Sequence, residues 1–213
     1  MISIADIRKD YSLQTLDTTD VEKNAIDQFS RWWNDAIKSE ILEVNAMTLA
    51  TASADGLPSA RIVLLKGFQQ DGFRFFTNYE SFKGKQIFEN PRACLVFFWK
   101  ELERQIRITG LVEKLPETES DIYYNSRPAG SRIGAWASPQ SEVIDSSEWL
   151  IQRSEQMKDK YGDKQIPRPK DWGGYLVRPV TIEFWQGRPN RLHDRLQYSL
   201  QENGEWKIER LAP

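Results

Sequence analysis

Histidine and cysteine are almost missing from this chain of 213 residues, which has one of each. One cysteine closes no intrachain disulfide, and one Cys with one His cannot furnish the usual four-ligand zinc sets, so no metal site is expected. Cys94 lies in an apolar run and is read as a small core residue. A serine triad would have to use His193. Its neighbour Asp194 points to the opposite face of an extended strand and orients that imidazole poorly. Glycine-rich dinucleotide fingerprints and P-loops are absent. Without a second thiol the side chains offer no two-electron couple, so redox chemistry here needs a borrowed cofactor. No window approaches the ~18–20 apolar residues of a membrane span. The first eleven residues are charged and lack the apolar stretch of a secretory signal, so a cytoplasmic protein with no membrane partner is expected. Charge of one sign is also lacking: 29 basic residues face 31 acidic ones, net -2. That balance excludes the broad basic surface of nonspecific nucleic-acid binding but leaves room for a local cationic pocket.

Aromatic residues are plentiful, with 8 Trp, 7 Tyr and 10 Phe. The surplus must go into a core, an interface or a pocket for a planar ligand. Residues 1–20 are polar and read as a flexible arm that orders only against something else. Residues 21–213 read as one domain. Ile26, Phe29, Trp33, Ile37 and Ile41 recur at helical spacing, with Asp20 as a cap. The centre is rich in strands: 46–52, 61–66, 73–77, 93–99 and 104–113, with hairpin turns at Asp55-Gly56 and over 68–72. Ser81 caps a short helix, and helices are expected over 117–126 and 147–161. The chain returns to strands over 174–185, 192–200 and 206–211, with a turn at Asn203-Gly204. Short strands with close turns predict a mainly β, antiparallel small barrel with flanking helices.

Four clusters carry candidate chemistry. If 191–195 is extended, Arg191, His193 and Arg195 share one face, and two arginines beside an imidazole call for an anion. Trp185 nearby offers a flat surface. An exposed basic strand laced with ion pairs is the alternative. Arg61 and Lys66 bracket Ile62, Val63, Leu64 and Leu65; their opposite parity aims them at opposite faces unless a strand end or bulge intervenes, and they could simply mark strand ends. Lys83, with the backbone N–H groups of a helix start, could cradle a phosphate or form a solvated helix end. Tyr123, Arg127 and Ser131 are spaced by four and would align hydroxyl, guanidinium and hydroxyl on a helical turn, subject to a kink at Pro128; a polar turn between helices is the other reading.

Together, RIVLLK at 61–66, TNYESFKGK from Thr77, LERQ at 102–105, SRPAGSRIGAW at 126–136, EFWQGRPNRLHDR at 183–195 and the terminal RLAP resemble pyridoxine/pyridoxamine 5'-phosphate oxidases over nearly the whole chain. The resemblance implies a split β-barrel homodimer with FMN at the subunit interface. It implies oxidation of a small phosphorylated pyridine to pyridoxal 5'-phosphate, with O2 reoxidising the flavin to give H2O2. Carried over by motif, Arg61, Ile62, Val63, Leu64, Leu65, Lys66, Phe76, Thr77, Phe82, Lys83, Gln105, Gln140, Ser141, Trp185 and Arg195 would contact FMN. Lys66, Tyr123, Arg127 and Ser131 would hold the substrate phosphate. Arg191 and His193 would sit over the pyridine ring, and Arg8 and Tyr11 would belong to an arm closing over it. Phe82 stands where the family usually has a second cation, a contact Lys85 could replace, and Phe76 replaces a frequent tyrosine. A phenazine-type flavin oxidase of the same fold and a noncatalytic flavin- or pyridoxal phosphate-binding protein are the rival readings.

Overall fold

Period-two burial builds the centre of the molecule, which a computed structural model describes for residues 3–4, 10–162 and 164–213. In β1 (Ala46–Ala52), Met47, Leu49 and Thr51 turn inward while their neighbours do not, as strand geometry requires. The other strands are β2 (Pro58–Leu64), β3 (Gly67–Gln69), β4 (Gly72–Asn78), β5 (Arg92–Trp99), β6 (Arg104–Lys114), β7 (Trp172–Gln186), β8 (Asp194–Leu200) and β9 (Trp206–Leu211). They form one antiparallel sheet in the order β2-β1-β5-β6-β7-β4-β3, with β8 and β9 continuing from β7.

The two ends of that path are joined in sequence by Leu65 and Lys66. Lys66 donates its backbone N–H to the Arg74 carbonyl of β4 at 2.8 Å. The sheet therefore curls back on itself as a half-barrel. β7 leaves the curl halfway: 172–177 pair with β4, whereas 181–186 pair with β8. Its partner β6 shifts register between Thr109 and Gly110 at that point. Gly110 is required there, since a Cβ would lie 2.1 Å from the Arg178 carbonyl oxygen. The split puts the two ends of β7 in different neighbourhoods, which decides the layout of the site.

Helix α1 (Ala25–Lys38) closes the curl. Asn24 is its cap, accepting from Ile26 N at 2.8 Å, so the helix begins later than a cap at Asp20 predicts. Phe29 is fully buried, with ring centroids of Phe68 and Phe73 each 4.8 Å away and Phe97 at 5.4 Å. Trp32 rather than Trp33 goes deepest, edge-on to Phe184, with the Arg104 guanidinium 4.3 Å over its ring. Ile37, expected in the apolar stripe, is exposed. The remaining helices are α2 (Phe82–Glu89), α3 (Glu117–Ser126), α4 (Ala129–Ala137) and α5 (Ser147–Tyr161).

Several expectations need correction. The final strands do not begin at Leu192. Pro189–Arg191 form a 3-10 turn in which Asn190 and Arg191 have positive φ, 56° and 62°, and β8 starts at Asp194. Arg191, His193 and Arg195 therefore do not share a strand face. Cys94 is only half-buried, because Ala93, Leu95 and Phe97 take the inward positions of β5. The supposed turn at 68–72 contains β3. The stretch read as an arm is fastened to the body from Ser12 onward. Ser12 and Leu13 donate their N–H groups to Glu103 at 2.8 and 3.1 Å, and Leu16 is buried, its N–H on Asp194. Arg8 lies outside the described residues.

Candidate active site

A cleft of about 600 Å³ opens where β2, β4, α2 and the α3–α4 corner meet. Arg61, Ile62, Val63, Leu64 and Lys66 line one side, Phe76, Thr77 and Lys83 another, and Tyr123, Arg127, Pro128, Ser131, Gln140 and Trp172 the rest. The parity problem of Arg61 and Lys66 is resolved by position: β2 ends at Leu64, so Lys66 lies beyond the strand and is free to turn toward the cleft. Tyr123, Arg127 and Ser131 do converge, though not along one helix. Pro128 lacks an N–H and forces its predecessor into an extended conformation. Arg127, at φ -75° and ψ 148°, accordingly breaks the chain between α3 and α4.

Among the described residues the lining holds four cations and no carboxylate. The Arg61 guanidinium donates to the Thr51 and Ser59 hydroxyls at 2.6 Å each. Lys83, only 8% exposed, donates to the hydroxyls of Thr77 and Ser81 at 3.2 Å and to Gln140 Oε1 at 3.4 Å. Burial, and secondarily the charge of Arg61, bring its ammonium down to about 8. Ser81 caps α2 by accepting from Gly84 N, and residue 84 must be glycine because a Cβ there would lie 2.0 Å from the Tyr79 carbonyl oxygen. Arg127 lies 4.6 Å over the Trp172 ring, and its Nη1 is buried without a hydrogen-bond partner. Neutral partners leave the positive charge of this cleft uncompensated, and a buried orphan donor is costly. A phosphate ester answers both.

Rings form the other wall. Phe76 stacks on Tyr123 at 3.9 Å and 24°, and Trp172 continues the stack 5.8 Å from Phe76 at 14°. Trp172 escaped the sequence reading; the available signal was an aromatic residue between the Pro-rich connector and the Gly173-Gly174 pair. Of the other residues singled out, Leu65 is buried in the core. Phe82 is 55% exposed, and Ser141, at φ 75°, is exposed next to Gln140; neither lines the cleft. Lys85 belongs to a separate cavity with Tyr79 and Lys114, so it does not stand in for a cation at position 82.

The remaining residues assemble elsewhere. Trp185 and His193 lie 4.6 Å apart, and Tyr11 packs edge-on to Trp185 at 5.8 Å and 6.1 Å from His193. His193 Nδ1 accepts the Arg188 backbone N–H at 3.1 Å. Its pKa is lowered by burial and then by Arg191. The ring is thus neutral at pH 7, with its proton on Nε2. Arg195 donates to Glu183 at 2.8 Å and to the Ala212 carbonyl at 2.7 Å. Gln105 pairs with Trp185, whereas Thr77 of the cleft pairs with Gly173. From 173 to 185 a strand rising about 3.3 Å per residue covers on the order of 40 Å. Within one chain the His193 cluster and the cationic cleft are separate, at opposite ends of β7.

Among the described residues no three His, Cys, Asp or Glu side chains gather as a metal site, and no helix is long and apolar enough to cross a membrane. Residues 33–161 match the family model described as pyridoxamine 5'-phosphate oxidase, and 172–213 match the pyridoxine 5'-phosphate oxidase C-terminal dimerisation region. A pyridoxine/pyridoxamine 5'-phosphate oxidase from Nostoc punctiforme is 56% identical over 211 residues, covering 99% of each chain. Among solved structures, PhzG from Burkholderia lata 383, in complex with tetrahydrophenazine-1-carboxylic acid, superposes with TM-score 0.88 at 30% identity, over 95% of this chain and 100% of that one. A pyridoxamine 5'-phosphate oxidase-related, FMN binding protein from Nostoc punctiforme shares the fold, with TM-score 0.70 at 18% identity over 94% and 100% of the two chains. Matches that run through both clusters and almost the full length show that the chain is an oxidoreductase belonging to the pyridoxine/pyridoxamine 5'-phosphate oxidase family.

Proposed function

We propose that the chain oxidises pyridoxine 5'-phosphate and pyridoxamine 5'-phosphate to pyridoxal 5'-phosphate with FMN and O2, as a homodimer in which each site takes the cationic cleft from one copy and the His193 cluster from the other. The observation that carries this reading is the cleft itself: among the described residues four cations and no carboxylate, with an unpartnered Arg127 Nη1 and a stacked aromatic wall. Two flat phosphorylated ligands fit that donor set better than one does. Arg61, Thr77, Lys83 and Gln140 would hold FMN on one side of the cleft, with the backbone of 62–65 beside them. Lys66, Tyr123, Arg127 and Ser131 would hold the substrate phosphate on the other. Gln105, Trp185 and Arg195 of the second copy would complete the flavin site. Phe82 and Ser141 would reach FMN only through contacts outside the cleft lining.

FMN, when bound, supplies the two-electron acceptor that these side chains lack. The alcohol substrate loses two electrons and two protons, one proton from its 4' carbon and one from its hydroxyl, and O2 leaves as H2O2; the amine also takes up water and releases ammonia. The chain's own part is orientation and charge neutralisation. Arg127 and Lys66 fix the phosphate and so the reach of the ring. Arg191 of the second copy would face the ring from its positive-φ turn. His193 would donate from Nε2, since Nδ1 is engaged by Arg188 N–H. A neutral imidazole in that role orients the substrate and is not an obligatory base. Tyr11, beside Trp185, would help to exclude water.

Adding pyridoxine 5'-phosphate in air to the FMN-loaded protein tests the reading. Pyridoxal phosphate and H2O2 are expected to appear in equal amounts. The similarity to PhzG favours a second reading, oxidation of a reduced phenazine. Turnover of a dihydrophenazine carboxylate with none of the phosphorylated pyridines would replace the first reading by the second. Binding of pyridoxal phosphate with no turnover of either would leave a binding protein.

A further inference from the structure

Arg61 reaches the cleft from an edge strand, yet no carboxylate holds it. Its Nη1 donates to the Thr51 hydroxyl and its Nη2 to the Ser59 hydroxyl, both at 2.6 Å. Each hydroxyl in turn donates a hydrogen bond to the same acceptor, Gln86 Oε1, again at 2.6 Å. Gln86 lies on α2, three residues after Lys83, and is 3% exposed. Its Nε2 has no hydrogen-bond partner. A buried amide with an orphan donor is a poor choice for packing alone, because the unmade bond costs stability that an apolar side chain of the same shape would not lose. Its acceptor, by contrast, is used twice and closes a fork around one guanidinium.

We infer that Gln86 is a positioning residue: through the Thr51 and Ser59 hydroxyls it aims Arg61 at the anion in the cleft while leaving the arginine's charge unneutralised. A carboxylate at 86 would orient the same hydroxyls but cancel the charge that an anionic ligand needs. Because Gln86 and Lys83 share one helix, the same element sets both cations and fixes their separation. This inference rests on the proposal that the cleft binds FMN through Arg61.

The test is a double-mutant cycle on FMN affinity, read from quenching of flavin fluorescence on binding to the apoprotein. Arg61→Ala, Gln86→Leu and the double variant are compared, with Thr51→Val as a near-isosteric break in one arm of the fork. Gln86→Leu is expected to raise the FMN Kd about tenfold and Thr51→Val several-fold, each with melting of the apoprotein close to wild type. In the Arg61→Ala background, Gln86→Leu should add less than twofold, since the residue it acts through is gone. Effects that multiply in the double variant would overturn the inference and make Gln86 a packing residue of α2, as would Gln86→Leu and Thr51→Val both binding like wild type. Should Gln86→Leu fail to fold, the Thr51→Val arm of the cycle, repeated in Arg61→Ala, decides alone. If Arg61→Ala itself leaves the FMN Kd unchanged, the placement of FMN against Arg61 falls, and this inference falls with it.

Discussion

Replacing Lys83 by methionine should weaken FMN binding and stabilise the unliganded protein at the same time. The side chain is buried among the hydroxyls of Thr77 and Ser81 and the Gln140 amide, with no carboxylate among the described residues lining the cleft beside it. A charge-assisted hydrogen bond to phosphate contributes about 1.5–3 kcal/mol, so at about 1.4 kcal/mol per decade the FMN Kd should rise roughly 10- to 150-fold. The opposite sign for the apoprotein follows from its ammonium, brought from 10.5 down to about 8 chiefly by burial and then by Arg61. Between those values the unfolded chain binds more protons than the folded one. The wild-type apoprotein therefore gains stability as pH rises from about 8 toward 10.5 and lacks that increment below 8. Lys83→Met removes the dependence and should melt higher than wild type near pH 7, the gap shrinking toward pH 10. FMN affinity of the wild type should fall above about pH 8, because binding favours the protonated amine, whereas the variant should lack that limb. Fluorescence titration from pH 6.5 to 9.5 and thermal melting of both apoproteins supply the data. Wild-type FMN affinity in Lys83→Met, or a wild-type affinity flat across that range, would refute the reasoning.

Arg127→Ala removes the unpartnered guanidinium over Trp172 and should weaken binding of pyridoxal 5'-phosphate roughly 10- to 100-fold while leaving unphosphorylated pyridoxal unaffected; calorimetry on the FMN-loaded protein distinguishes the two. Phe29→Ala empties the contact between α1 and the rings of Phe68, Phe73 and Phe97, and should cost about 3–5 kcal/mol in urea unfolding. Glu103→Ala withdraws the acceptor of the Ser12 and Leu13 N–H groups; limited proteolysis should then cut within 10–16 faster, and an unchanged cleavage rate would show that Leu16 and Asp194 hold the segment without it.

Much of the fold was legible because period-two and helical burial patterns are local. Residues 46–52, 117–126, 147–161 and 206–211 appear as elements with the bounds expected. The errors fall where tertiary contacts choose between local options. Asn24 outcompetes Asp20 as a cap, since it alone sits in the extended conformation one residue before the helix. Arg191 takes a positive φ that only the closed turn after Pro189 imposes, and no spacing rule foretells it. The cationic cleft could be listed residue by residue, but the stacking of Trp172 on Phe76 required β4 and β7 to pair. Nor could spacing reveal that 61–83 and 185–195 lie apart within one chain, because their separation is a property of the split in β7.

That separation supports one measurement above the others. Arg127→Ala disables the cleft and Arg191→Ala the turn, so each pure variant should turn over pyridoxine 5'-phosphate at a small fraction of the wild-type rate. If a site draws on two copies, unfolding and refolding the variants together in equal amounts gives mixed dimers with one intact site in two. Random pairing makes half the dimers mixed, so activity should recover to about a quarter of wild type. A mixture as inactive as its parents would contradict the account and place the whole active site within a single chain.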